Sequence, residues 1–190
     1  MPSLILASAS PRRLSLLAQI GVVPARVVAP DVDESVLKGE RPRDYVMRVA
    51  LAKAAAVPCG ADEVVLAADT SIAVGGRILG KPEDEADFVR MLGLLSGRRH
   101  HCLSAVVVAG ADGVVRTRLS DTMVAFKPLS SAEIAGYVAS GEGWGKAGGY
   151  AIQGRAEAFV RRIDGSYSGV VGLPLFETRA LLATAGVDCG

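Results

Sequence analysis

Aromatic residues make up only 5% of this 190-residue chain, which has two histidines and three cysteines, and neither sign of charge dominates. Twenty-one basic against 20 acidic side chains leave a net charge of +1. Each shortage excludes something. A binder of nucleic acid polymers shows a basic stripe, so any cationic cluster here is expected to serve a small anionic ligand. Cys59, Cys102 and Cys189 are odd in number, far apart and without CxxC or metal-ribbon spacing, and they read as reduced thiols. His100 and His101 are neighbours, and neighbours on a strand face opposite ways, which makes them a poor shared metal site. No apolar run approaches the ~18 residues of a membrane span, and no signal-peptide pattern opens the chain. The expectation is a cytoplasmic protein without a membrane partner. With no repeat, linker or low-complexity tract, it reads as a single domain over residues 1–190.

Half of the residues are hydrophobic, and their most telling arrangement is at the start. In LASASPRR, residues 6–13, a short apolar strand at Leu4–Leu6 gives way to small residues, after which Ser10-Pro11 opens an amphipathic segment. Ser10 suits an N-cap and Pro11 the first helical position. The helix start favours anions, and Ser8, Ser10, Arg12 and Arg13 supply hydroxyls and forked donors suited to phosphate. Eight residues alone leave an ordinary capped helix with two exposed arginines equally open.

Downstream, a strand is expected at Ala25–Ala29, followed by the acidic turn DVDES with Asp31, Asp33 and Glu34. Loops at strand ends are where α/β proteins keep ligand chemistry, although an acidic loop is also the ordinary solvated kind. The stretch RPRDYVMRVALAKAAAVP reads as a helix with Pro42 near its start. Its apolar spacing through Tyr45, Val46 and Val49 points Lys53 toward the inward face, where a lysine either snorkels to the rim or meets an anion. Val64–Ala68 is the most strand-like stretch and delivers Asp69 and Thr70 to its end, where a carboxylate suits metal ligation or base chemistry. Ser71–Val74 continues extended, Gly75-Gly76 turns a hairpin, and the return through Leu79 sets Lys81 near the same mouth.

A helix is expected from about Glu83 to Leu95, then two long strands at Cys102–Ala109 and Val114–Phe126 joined at Asp112-Gly113. Ser130 with Glu133 offers a capping box. Residues 141–154, GEGWGKAGGYAIQG, contain six glycines, a density that suits a loop close to a ligand. Within it Lys146 adds charge, Gln153 is able to read the edge of a base, and Trp144 reads as packing. A strand at Ala158–Ile163, a loop with Ser166, Tyr167 and Ser168, and a final helix beginning near Pro174 complete the chain.

Together these stretches resemble the Maf family of nucleotide pyrophosphatases, almost end to end. The likeness is carried by SASPRR at 8–13, DE at 33–34, the lysine of LAKA, AADT at 67–70, LGKP at 79–82, GKAGGYAIQG at 145–154 and GSYSGVVGLPL at 165–175. The resemblance implies an elongated mixed α/β fold: a β-sheet flanked by helices, with two lobes around a central cleft, similar to the inosine-triphosphate pyrophosphatases. It implies hydrolysis of a nucleoside triphosphate to the monophosphate and pyrophosphate with a divalent metal, Mg²⁺ or Mn²⁺ being most plausible. Asp69 is then the catalytic carboxylate, Glu34, Lys53 and Lys81 its essential neighbours, and Ser8, Ser10 and Arg13 lie near the phosphates. Asp69 and Glu34 are the expected metal ligands.

Arg12, Thr70 and Gln153 match the branch that acts on dTTP and UTP. The 7-methyl-GTP branch tends to replace the threonine and to carry glutamate in place of Gln153. Gly145 departs from the aspartate many relatives have before Lys146, so no catalytic role is carried onto it. Lys146 is expected to bind substrate. Relatives are often dimers, which implies a homodimer. A nucleotide-binding regulator of cell division is the rival reading, and the pairing of Asp69 with Glu34 favours catalysis.

Overall fold

The computed structural model describes residues 1–110 and 112–189. Its central strand is β3 (Glu63–Val74), whose nearly continuous burial follows from a nearly continuous apolar sequence. Side chains alternate across it: Val64, Leu66 and Ala68 enter one hydrophobic core, while Val65 and Ala67 enter another on the opposite face. Neighbouring strands repeat this division. Leu4 and Leu6 of β1 (Ser3–Ala7) join the first core, and Ile5 and Ala7 the second.

Helices cover both faces. The first core takes Leu16 and Leu17 from α1 (Pro11–Gln19) and Leu181 and Leu182 from α6 (Leu175–Thr184). The second takes Val46, Ala50 and Ala54 from α2 (Pro42–Ala55). Full burial of each such leucine or valine contributes roughly 1.5–3 kcal/mol before entropy is subtracted, and each alanine less. The sheet has seven strands in the order β2-β1-β3-β5-β6-β7, with β4 (Arg77–Leu79) paired to β3. β2 (Arg26–Val28) and β3 both run parallel to β1, and α1 and α2 supply the crossovers such pairing needs. β5 (Arg99–Gly110), β6 (Val115–Phe126) and β7 (Val160–Asp164) add on antiparallel.

At Ile72 and Val74 β3 leaves the first two cores and enters a third, shared with Cys102 of β5, Phe88 and Leu92 of α3 (Glu85–Leu95), and Tyr137 of α4 (Ser131–Ala139). Two lobes therefore share one sheet. Asp69 and Thr70 sit on β3 where it passes between them. This is the mixed α/β architecture expected from the sequence.

Several expected boundaries shift. β3 is one strand rather than two extended pieces, and β5 begins at Arg99. The stretch before β7 coils into a 3₁₀ turn at Arg155–Phe159, and the expected loop after it holds a five-residue helix, α5 (Tyr167–Val171). The Gly75-Gly76 hairpin forms with φ of 54° and 78°, a geometry that glycine reaches at no steric cost. Asp84 caps α3, and the Ser130–Glu133 capping box forms as expected. His100 is fully buried and His101 faces out, bonded through Nδ1 to Asp121 at 2.7 Å. Among the described residues, no helix is long and apolar enough to cross a membrane.

Candidate active site

Between the lobes lies a cleft of about 650 Å³, lined by every residue expected above to act in catalysis, metal ligation or substrate binding, whereas Asp31, Asp33, Ser166, Tyr167 and Ser168 do not line it. Its floor is built from α2, β3 and the loop after β2. Helical spacing puts Lys53 on the face that α2 turns toward the sheet, as expected, and its ammonium donates to Asp69 Oδ1 at 2.7 Å. The same nitrogen lies 2.7 Å from Glu34 Oε1, and Lys81 Nζ lies 3.4 Å from Glu34 Oε2 at the more exposed rim.

The two carboxyls are driven apart. Burial raises Asp69 above the ordinary aspartate value, against the opposing pull of Lys53 and Arg13. Burial also works against charge on Glu34, but Lys53 and Lys81 together outweigh it and hold this carboxyl below its usual range. Such divergence is what separates a proton acceptor from a permanent anion.

The N-terminus of α1 forms one wall. Pro11 occupies the first helical position and Ser10 the cap position, but the Ser10 side chain makes no capping bond. Its backbone N–H instead donates to Ser8 Oγ at 3.1 Å. Arg13 is buried: Nε donates to the Gly172 carbonyl at 2.8 Å and Nη1 to Ser8 Oγ at 3.1 Å. Arg12 Nε reaches the Val171 carbonyl at 3.3 Å. Both arginines thus sit at the C-terminal end of α5, where carbonyls concentrate negative charge. Of the two readings left open by the sequence, the one with two exposed arginines does not hold. Thr70 Oγ1 faces the same place, 2.9 Å from Ser104 Oγ and 3.5 Å from the Gly172 carbonyl.

The glycine-rich loop forms the opposite wall. A Cβ at Gly143 would stand 2.2 Å from the Gly149 carbonyl oxygen, which is why the loop needs glycine there to fold on itself. Lys146 lines the cleft, yet its ammonium donates to the carbonyls of Glu142 and Trp144 within its own loop. Gln153 lies in a turn held from below: Ala151 N–H donates to the Tyr137 hydroxyl at 3.0 Å, and Gly154 N–H donates to the Ala151 carbonyl. Trp144 packs edge-on against Phe88, 5.1 Å between centroids, as the packing reading expected. Ser166 and Ser168 are turned to local structure, accepting from the backbone N–H groups of Gly169 and Leu175.

Sequence reasoning missed three polar lining residues. Tyr45 was read only as an apolar helix position, although its place eight residues before Lys53 was enough to put it on the same face. Tyr150 lies beneath the cleft with its hydroxyl 2.9 Å from His100 Nε2. Ser71 is buried, and its hydroxyl has no hydrogen-bond partner among the described residues. A strand serine carries no local sign of either property.

For a divalent cation, Asp69 and Glu34 offer the hard oxygen donors required, and Asp69 Oδ2 takes no hydrogen bond from any described residue. Among the described residues no group of three or more His, Cys, Asp or Glu forms a complete metal cage. Two carboxylates suit a cation that completes its shell with phosphate oxygens and water.

Comparison with known proteins adds the following. A Sphingopyxis alaskensis protein named dTTP/UTP pyrophosphatase is 68% identical over 190 residues, covering 100% of both chains. A Novosphingobium aromaticivorans protein of the same name is 59% identical over 188 residues, covering 98% of this chain and 94% of its own. Among solved structures, a nucleoside-triphosphatase / dITP/XTP pyrophosphatase of Mycobacterium abscessus overlaps 68% of this chain and 76% of its own, at 18% identity and a TM-score of 0.43. The family profile described as Maf-like protein matches residues 3–185, and the chain belongs to that family.

Proposed function

We propose that this protein hydrolyses dTTP and UTP to the monophosphate and pyrophosphate. The observation that carries the reading is the cleft itself: one end holds Asp69, Lys53 and Glu34, and its walls carry Arg12, Thr70 and Gln153. The shared name of the full-length relatives supports the same substrates.

In this reading water attacks the α-phosphorus and its proton passes to Asp69 through Oδ2, the oxygen that Lys53 leaves open. The bond from the α-phosphorus to the bridging oxygen breaks, and pyrophosphate departs. Burial raises the affinity of Asp69 for the proton it takes up. Glu34, held ionised, fixes Lys53 and Lys81 beside the phosphates, and Arg13 adds buried positive charge as the transition state gains negative charge. Asp69 and Glu34 would hold Mg²⁺ or Mn²⁺, which when bound offsets triphosphate charge and makes water more acidic. Gln153 reads the base by its amide, and Lys146 and Ser10 contact phosphate oxygens. We place the reaction in the cytoplasm, carried out by a homodimer of single-domain chains.

A panel of dTTP, UTP, CTP, GTP and 7-methyl-GTP, with pyrophosphate as the readout and water labelled with oxygen-18, tests this. The expected result is preference for dTTP and UTP with the label in the monophosphate. Preference for 7-methyl-GTP overturns the substrate assignment, and label in pyrophosphate overturns attack at the α-phosphorus.

A further inference from the structure

The loop over residues 31–40 carries Glu34 yet contains no helix or strand. Its internal bonds are few: Ser35 N–H donates to Asp33 Oδ1, Leu37 N–H to Glu40 Oε2, and Glu40 N–H to the Leu37 carbonyl. Among the described residues, the hydrogen bonds and ion pairs tying this loop to the rest of the chain come from Tyr45, Arg48, Lys53 and Lys81. Three of these four stand on α2.

Two of them grip the loop backbone around Glu34. The Tyr45 hydroxyl donates to the Glu34 carbonyl at 3.0 Å, and Arg48 Nη2 donates to the Ser35 carbonyl at 2.9 Å. Arg48 also forks onto Glu40, Nε to Oε1 at 2.6 Å and Nη2 to Oε2 at 2.8 Å, which pins the far end of the loop. The guanidinium lies over the Tyr45 ring, 5.6 Å from its centroid, so the two side chains brace each other.

We infer that Tyr45 and Arg48 are positioning residues, which hold Glu34 at the distance from Lys53 that the reaction requires. This rests on the proposed role of Glu34 above. A single helix thus places Lys53 directly and Glu34 through its backbone, and small displacements of a charged group from productive geometry cost rate. Neither grip touches the phosphate-binding wall at Ser8–Arg13, so the contacts that wall offers to substrate are kept and the loss falls mainly on kcat.

The test is steady-state kinetics of Tyr45→Phe and Arg48→Met on dTTP, with amide hydrogen exchange read over residues 33–36 and Glu34→Gln run in parallel. Expected is a fall in kcat of roughly tenfold for each, KM within about twofold, and faster exchange at 33–36. An unchanged kcat, a rise in KM with kcat kept, or a lower kcat with unchanged exchange each overturns the inference. Tyr45→Phe removes one oxygen from a helix that stays packed, and it decides the matter if Arg48→Met does not fold. Wild-type kcat in Glu34→Gln sinks the proposed role of Glu34 itself. An impaired Glu34→Gln beside unaffected Tyr45→Phe and Arg48→Met sinks the positioning role alone.

Discussion

Lys53 Nζ and Asp69 Oδ1 lie 2.7 Å apart at the floor of the cleft, and both side chains are more than nine-tenths sealed from water. An ion pair so enclosed contributes little over an apolar pair, but breaking it leaves one charge stranded. Lys53→Met is therefore expected to lose about 3–5 kcal/mol of unfolding free energy at pH 8. Without its partner, Asp69 binds a proton more readily folded than unfolded, so the deficit narrows as pH falls toward 5. Urea titrations at both values check this, and an equal deficit at each contradicts it.

Ser71 presents the opposite case, a buried hydroxyl on the wall of the cleft with no partner among the described residues. Leaving such a group unsatisfied costs about 1–3 kcal/mol, and removing it relieves that cost. Ser71→Ala should gain about 1 kcal/mol, a rise in Tm of roughly 2–4 °C for a chain of this size. A lower Tm in calorimetry would show that the hydroxyl has a partner after all.

His100 governs an acid-side loss of stability. Burial among Phe126 and Tyr150 lowers its pKa to about 4 from an ordinary 6.5. Between those values the unfolded chain binds the proton and the folded chain does not, so stability falls as pH drops through the window. The contribution is on the order of 3 kcal/mol between pH 7 and pH 4. His100→Phe also leaves the Tyr150 hydroxyl unpaired, a constant offset. Against that offset, the variant should lose less stability than wild type over the same pH range, and parallel curves would contradict the assignment.

On the proposed base-reading role of Gln153, which lines the cleft, Gln153→Glu replaces an amide donor with an acceptor that repels the carbonyl edge of uracil and thymine. The ratio of kcat/KM for dTTP over GTP should fall by about tenfold or more, since a mismatched polar group in a binding site costs about 1–3 kcal/mol. An unchanged ratio would remove Gln153 from base recognition.

Local sequence signals foretold much of this architecture. The apolar run of β3, the paired glycines at 75 and 76 and the Ser130–Glu133 box each act within a few residues, and each formed. The inward turn of Lys53 was legible because helical spacing is itself local. What escaped depends on contacts across the chain. Arg12 and Arg13 meet carbonyls 159 residues away, at the end of a five-residue helix too short to show a periodic pattern. Ser10 had the right type for a capping bond, but its side chain does not form one. The grip of Tyr45 and Arg48 on the Glu34 loop was likewise hidden, since it joins a helix to a segment with no periodicity at all.

Pyrophosphate release from dTTP by Asp69→Asn is the most direct test of the chemistry assigned to this cleft. The amide is nearly the same size as the carboxyl, and Lys53 keeps its ion pair with Glu34, so the fold should persist by circular dichroism. With the proton acceptor gone, turnover should drop by about 10²–10⁴-fold. A folded Asp69→Asn protein that releases pyrophosphate within twofold of the wild-type rate would contradict the assignment.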